Sequence, residues 1–277
     1  MLEILKAIFF GIVEGVTEWL PISSTGHMIL LNEFIKLNVS NEFWDLFLVV
    51  IQLGAIMAVV LLFWNKIWPF GKKEKNLIKV DTFVLWFKIL VACVPAAIVG
   101  ILFDDQLDAL FYNYISVAIA LIVFGIAFII IENMNKRKRP QIRKLSEITY
   151  QTAALIGIFQ LIAAIFPGTS RSGATIVGAL LIGVSRTVAT EFTFFLAIPV
   201  MFGASLLKVV KFVAGGYSCT GIELSLLIIG MVVAFIVSVI VIKFLMGYIK
   251  KHDFKVFGWY RIVLGVLVLV YGLFQIL

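Results

Sequence analysis

The sequence predicts an all-α polytopic membrane protein: six transmembrane helices plus two re-entrant helical hairpins, arranged as an inverted-topology internal repeat within a single integral membrane domain, 1–277. Three observations carry that expectation. Of 277 residues, 62% are hydrophobic and 14% charged, with a mean hydropathy of +1.10, against roughly 45–50% apolar and about 25% charged in soluble domains. Most apolar runs approach the ~20 residues a crossing helix needs, while those around residues 1–35 and 149–182 fall short. The lysines and arginines gather in short segments between the runs, the mark of cytoplasmic loops. The net charge of +7 is therefore read as topology, and no nucleic acid is expected as a partner.

Taken in order, Met1 to Val13 is apolar but too short to cross, and it leads through Glu14, Glu18 and Pro21 to Ser23-Ser24-Thr25-Gly26-His27 and then Met28 to Ile35. A short apolar piece, a polar break and a second short piece predict a hairpin that enters and leaves by one face. Met1 to Val13 also lacks the basic region and small-residue cleavage site of a signal peptide. Glu42 to Trp64 spans, and Asn65 to Asp81, with Lys66, Lys72, Lys73, Lys75 and Lys79, is placed in the cytoplasm. Phe83 to Phe103 returns past Pro95 to an acidic outer loop with Asp104, Asp105 and Asp108. Ile115 to Ile131 comes back to Lys136-Arg137-Lys138-Arg139, Arg143 and Lys144, a solvated cytoplasmic anchor.

Thr149 to Ile182 predicts the second hairpin, entering from the cytoplasm. Glu191 to Lys211 spans outward past Pro199, Ala214 to Glu223 forms an outer loop, Leu224 to Tyr248 returns to Lys250, Lys251 and Lys255, and Trp259 to Leu277 exits. Both termini then lie outside and every basic cluster on one side. Cys93 sits in a span and Cys219 in a loop, so no disulfide is expected. The halves, about 1–135 and 147–277, resemble each other. A shift of 146 positions lays Gly11, Glu14, Pro21, Ser23 and Ser24 on Gly157, Gln160, Pro167, Thr169 and Ser170; a shift of 149 lays Glu42-Phe43 on Glu191-Phe192 and Gly54 on Gly203. Copies that start on opposite sides are inverted, an architecture whose broken helices meet near the midplane to form a site.

The chemistry concentrates at Pro167-Gly168-Thr169-Ser170-Arg171-Ser172-Gly173-Ala174-Thr175, between the apolar runs Leu155 to Phe166 and Ile176 to Ile182. A guanidinium at membrane depth costs on the order of several kcal/mol and usually faces a cavity with a partner. A polar kink would explain the hydroxyls but not Arg171. Gly168 and Gly173 let backbone approach a ligand, and a helix starting near Ser170 would aim free amides at it. This pattern favours a phosphate.

Glu14 and Glu18 lie one helical turn apart, a repulsive pair that calls for a cation or a shared proton. If a helix resumes near Ser24, that hydroxyl and His27 stand three apart on one face, within reach of proton exchange. His252, the second histidine, falls in the basic loop. Packing the hairpins tip to tip would set Arg171, Thr169, Ser170, Ser172 and Thr175 against Ser23, Ser24, Thr25, His27 and two carboxylates. That set suits phosphoryl transfer, in which positioning and charge neutralisation dominate. A carboxylate seat at Glu14 and Glu18, completed by phosphate oxygens, suits Mg²⁺ or Ca²⁺.

Glu14 to His27 (Glu-Gly-Val-Thr-Glu-Trp-Leu-Pro-Ile-Ser-Ser-Thr-Gly-His) together with Pro167 to Thr175 resembles the bacterial undecaprenyl-diphosphate phosphatase family, also called the bacitracin-resistance family. The likeness extends to Val50-Ile51-Gln52-Leu53-Gly54 and Gly183-Val184-Ser185-Arg186. It implies a plasma-membrane enzyme, dependent on a divalent metal and open to the outer face, that removes the terminal phosphate of a C55 polyprenyl diphosphate and so recycles a lipid carrier for cell-wall synthesis. By the same resemblance Glu14 and Glu18 match the family's glutamates, Ser24 and His27 its nucleophile and proton-transfer residues, and Arg171 its diphosphate-binding arginine. A polyprenyl-phosphate flippase is the alternative the broken helices suggest, and the reading admits a homodimer. A lipid phosphatase using two histidines fits poorly, because His252 belongs to the basic loop.

Overall fold

The computed structural model describes residues 1–71, 78–111 and 113–276, with the side chains of 104, 105, 108, 275 and 276 outside that description. The expected lysines Lys72, Lys73 and Lys75, and the side chains of Asp104, Asp105 and Asp108, lie outside the described residues.

The chain forms helices α1 (Leu2–Thr17), α2 (Ser24–Phe34), α3 (Asn41–Leu62), α4 (Trp64–Ile67), α5 (Val80–Phe111), α6 (Tyr114–Asn135), α7 (Tyr150–Ile165), α8 (Arg171–Leu181), α9 (Arg186–Ala214), α10 (Gly221–Tyr248) and α11 (Lys255–Ile276), with a 3₁₀ turn at Leu145–Glu147. Six of them, α3, α5, α6, α9, α10 and α11, contain stretches long and apolar enough to cross a membrane. They coincide with the six runs expected to span, and the chain is a multi-pass membrane protein. On α5, Phe87, Leu90, Val94, Ile98 and Ile101 are exposed at spacings of three and four, which places them on one face of the helix. Such a stripe is stable against lipid and unfavourable against water.

One boundary differs from expectation. α5 continues to Phe111, through the stretch read as an acidic loop, because Asp104 to Phe111 contains no Pro or Gly to stop it. Pro95 in α5 and Pro199 in α9 are accommodated inside unbroken helices. Elsewhere the ends obey their caps: Ser40, Asn113 and Thr149 side chains accept from the amides of Phe43, Ser116 and Thr152, and Thr220 with Glu223 forms a reciprocal capping box.

α1 and α7 have 16 residues each and α2 and α8 have 11. At 1.5 Å per residue even the longer pair reaches only about 24 Å, short of the ~30 Å hydrocarbon layer. α1 packs on α10 and α3, α7 on α5, and α8 against α7, α9 and α6; α10 also lies along α3, α5 along α9, and α6 along α11. α8 is buried from Ser172 to Leu180, at the heart of a core built on Trp19, Ile56, Phe192, Phe194 and Phe195.

Close helix approach depends on missing side chains. A Cβ at Gly11 would strike the Gly230 carbonyl of α10, and one at Gly157 the Ala92 backbone of α5. Gly157→Val should therefore force α5 and α7 apart. Overpacking of this kind costs about 1–3 kcal/mol, or a Tm lowered by roughly 2–10 °C, and thermal unfolding in detergent measures it.

Candidate active site

Two breaks in the helical backbone build the site. α1 ends at Thr17 and α2 begins at Ser24; α7 ends at Ile165 and α8 begins at Arg171. The residue before each new helix is a serine in the left-handed region, Ser23 at φ 74° and Ser170 at φ 68°. Each serine hydroxyl accepts from the amide three residues on, Gly26 N at 3.3 Å and Gly173 N at 3.2 Å, an N-cap that offsets part of the left-handed strain. The caps pair Ser23 with Ser170, 147 positions apart, so the 146-residue register that set Ser23 on Thr169 slips by one across the break. Ser24 thereby corresponds to Arg171, the first residue of the other short helix.

These two residues meet on Glu18, which is buried just beyond α1. Ser24 Oγ donates to Glu18 Oε2 at 2.7 Å, and Arg171 Nη2 donates to Glu18 Oε1 at 2.8 Å. Arg171 Nη1 also donates to the Thr193 carbonyl at 3.2 Å, and Ser172 Oγ to the Glu18 carbonyl at 3.2 Å. Thr175 Oγ1 donates to the Arg171 carbonyl at 2.9 Å and accepts from Thr193 Oγ1 at 2.8 Å, tying α8 to α9. Ser170 and Ser172 hydroxyls lie 3.1 Å apart. Glu14, one turn before Glu18, is 1% exposed and its Oε1 has no hydrogen-bond partner. Thr169 Oγ1 is likewise buried without one, and Thr25 makes no side-chain hydrogen bond among the described residues.

The expected exchange between Ser24 and His27 is not what the packing makes. His27 Nδ1 lies 2.7 Å from the Ser23 carbonyl and Nε2 lies 2.7 Å from the Tyr260 hydroxyl, with the two rings stacked at 5.6 Å. A carbonyl can only accept, so Nδ1 carries a proton, and in the neutral ring Nε2 accepts from Tyr260. The basic atom within reach of the Ser24 proton is therefore Glu18 Oε2, at a distance suited to a hydroxyl and its general base. Tyr260→Phe removes one neutral bond and leaves the stack. It should lower stability by about 1 kcal/mol, read as a Tm drop of roughly 2–4 °C in thermal unfolding. His252 stays in the basic loop as expected, stacked on Tyr248 at 4.4 Å.

One central residue escaped the sequence reading. Arg261 of α11 is fully buried. Its guanidinium donates to the carbonyls of Gly168 at 3.0 Å and Thr169 at 2.8 Å in the second break, to Pro21 at 3.3 Å in the first, and to Leu121 and Ala120 of α6, both at 3.4 Å. Phe124 covers it at 5.9 Å. Arg261 has no carboxylate partner among the described residues, and its Nη1 lies beside Gly173 in the first turn of α8. Gly168 itself sits at φ 89°, and a Cβ there would meet the Val117 backbone, so only glycine brings this carbonyl to Arg261. The signal was available: Arg261 is the lone charge in the apolar run Trp259 to Leu277.

A buried cation without a counter-ion, seated where two helices begin, makes the local field strongly positive. The arrangement can bind a multiply charged anion and present to it a hydroxyl already bonded to a carboxylate. The family described as Bacitracin resistance protein BacA matches residues 7–267 of this chain. Among curated proteins, the chain is similar to Undecaprenyl-diphosphatase of Desulfitobacterium hafniense, 69% identical over 98% of this chain and 96% of that one. It is also 69% identical to Undecaprenyl-diphosphatase 1 of Clostridium acetobutylicum over 98% of both chains. A third relative, Undecaprenyl-diphosphatase of Enterococcus faecalis, is 64% identical over 97% of this chain and 96% of its own.

Proposed function

The chain belongs to the bacitracin resistance protein BacA family, and from that premise we propose that it hydrolyses undecaprenyl diphosphate to the monophosphate and inorganic phosphate, returning a lipid carrier to cell-wall synthesis. The relatives' names support the substrate and the reaction; none of the three names a flippase. The observation that carries the reading is Glu18, bonded at once to the Ser24 hydroxyl and the Arg171 guanidinium.

In the proposed mechanism Ser24 Oγ attacks the terminal phosphorus while its proton passes to Glu18 Oε2. The bridging P–O bond breaks, and its electron pair leaves on the monophosphate. Water then attacks the phosphoserine and gives its proton to His27 Nε2; inorganic phosphate departs as Ser24 Oγ regains the proton from Glu18. Arg171, the amides opening α2 and α8, and the unneutralised Arg261 behind them favour the charge on the phosphate oxygens. His27, held between Ser23 and Tyr260 with Nε2 as its unprotonated nitrogen, is assigned to accept the proton of the attacking water and release it to the departing products. Thr169, Ser170, Ser172, Thr175, Ser23, Thr25 and Gly168 shape the same cradle.

The residues fit a hard divalent cation such as Mg²⁺ or Ca²⁺. Glu14 Oε1 is a buried carboxylate oxygen without a partner, whereas both Glu18 oxygens are engaged. Among the described residues no three His, Cys, Asp or Glu side chains gather around one point, so Glu14, with Glu18 beside it, would share the ion with substrate oxygens. When bound, the ion would neutralise phosphate charge.

The two broken helix pairs read best as re-entrant hairpins in inverted repeats, 1–135 and 147–277. Support comes from their equal lengths, from the twin serine caps, and from the matched packing of Gly11 on α10 and Gly157 on α5. We place the site toward the outer face. The far end of α8 is tied to the basic segment by Asn135 Nδ2 donating to Leu180 O and Gln141 N to Gly183 O, which leaves Arg171 about 15 Å away along the helix.

The test is phosphate release by purified protein from undecaprenyl diphosphate with Mg²⁺ or Ca²⁺, expected to stop with chelator and return on adding metal. No release by folded wild-type protein with either ion would end this reading.

A further inference from the structure

A polar cavity, about 530 Å³ in volume, opens at the end of α8 remote from Arg171, between the C-terminal ends of α6 and α10 and the start of α9. Lys138, Arg139, Arg186 and Lys250 line it, with Glu132 the one acid among the lining residues. That acid is already consumed. Glu132 is 1% exposed, and its oxygens accept from Arg186 Nε at 2.8 and 3.2 Å, from Arg186 Nη2, and from Phe254 N at 3.1 Å. Lys138, Arg139 and Lys250 have no acidic partner among the described residues, so the cavity carries a surplus of about three positive charges.

Its wall is built rather than incidental. Gln141 N and Ile142 N both donate to Gly183 O, at 2.8 and 3.2 Å, and Ser185 N donates to Ile142 O at 2.8 Å, knitting the basic segment to the turn that ends α8. Glu132 clamps Arg186 through Nε and Nη2 and leaves Nη1 without a hydrogen-bond partner among the described residues, the way a buried carboxylate orients a binding guanidinium. α9, 29 residues long, starts at Arg186 with no side-chain cap on its first amides, and the residues carrying the first of them, Arg186 and Thr187, line the cavity.

From the cavity, its unopposed cations, the clamped arginine and the open amides together, we propose that this is a second anion site, for a phosphate group, distinct from the reaction centre. The phosphate comes either from an anionic phospholipid headgroup or from free inorganic phosphate; the same donors serve both. The site concerns binding at the basic end of the molecule and requires nothing of Ser24, Glu18 or Arg171.

The test compares two variants of the full-length protein. Lys138→Gln/Arg139→Gln/Lys250→Gln removes the cavity's unpaired cations. Lys136→Gln/Arg137→Gln removes neighbouring cations that do not line it, a control for general electrostatics, and any phosphate bound at the reaction centre contributes equally to both. Each is titrated with inorganic phosphate in detergent, following melting temperature. Each is also reconstituted in nanodiscs of phosphatidylcholine with and without phosphatidylglycerol, and the retained lipid is counted by native mass spectrometry. The triple variant should lose about tenfold in phosphate affinity or in phosphatidylglycerol retention, the effect expected of charge-assisted bonds, while the control stays near wild type. Loss in the phosphate arm identifies a free anion, and loss confined to the nanodisc arm identifies a lipid headgroup. Equal losses in the two variants, or none in either, would overturn the site.

Discussion

Arg171→Ala should lower kcat/KM for phosphate release by about 10³-fold, the scale of a lost preorganised charge contact at a reacting group. Two effects add. The substrate loses a guanidinium 2.8 Å from the carboxylate that holds the attacking hydroxyl, and Glu18 becomes a buried carboxylate with one oxygen unpaired. Losing one partner of a buried pair costs about 3–5 kcal/mol, somewhat less here because both side chains keep 10–14% exposure. Glu18→Gln keeps the size and one acceptor but removes the base, and should fall as far. The double variant should be little worse than either single one, since the residues act as a unit. The measurement is steady-state phosphate release beside thermal unfolding. Activity within tenfold of wild type in both folded single variants would remove Glu18 and Arg171 from the chemistry.

Arg261→Met should lose at least 10²-fold in activity and also lower Tm. The side chain has two opposing accounts. Deleting an unneutralised buried charge relieves several kcal/mol of desolvation. Against that, the carbonyls of Pro21, Gly168 and Thr169 lie in the breaks and lose this donor, at about 1–3 kcal/mol each. Ala120 and Leu121 lie inside α6, where helix bonds already serve their carbonyls, and add little. The balance is modest destabilisation, whereas the spacing between the two breaks is lost entirely. Arg261→Lys restores the charge without the fork and should recover stability more than turnover. Equal recovery of both would mean that charge alone matters.

The six spans were legible because span length and basic flanks are local properties of the chain. The three residues that the fold ties together were legible as candidates too: Glu18, Ser24 and Arg171 stand out as polar residues in apolar surroundings. Their pairing was not. Ser24 and His27 do share a helix at a spacing of three, yet His27 is claimed by Tyr260, 233 residues away, and Glu18 reaches Ser24 across a turn that no helical period describes. The one-residue slip between Ser23–Ser170 and Gly11–Gly157 arises inside that same turn. Arg261 showed the signal of a lone intramembrane charge, but its partners are backbone carbonyls, which leave no trace in side-chain spacing.

The twin serine caps have a consequence for how the chemistry is shared. The same backbone turn, made twice, presents a hydroxyl in one place and a guanidinium in the other, and a single glutamate beside the first turn answers to both. On the proposed chemistry each half of the polypeptide is thus a torso with one arm: severed from its counterpart it would carry either an attacker with nothing to steady its target, or a grip with nothing to strike.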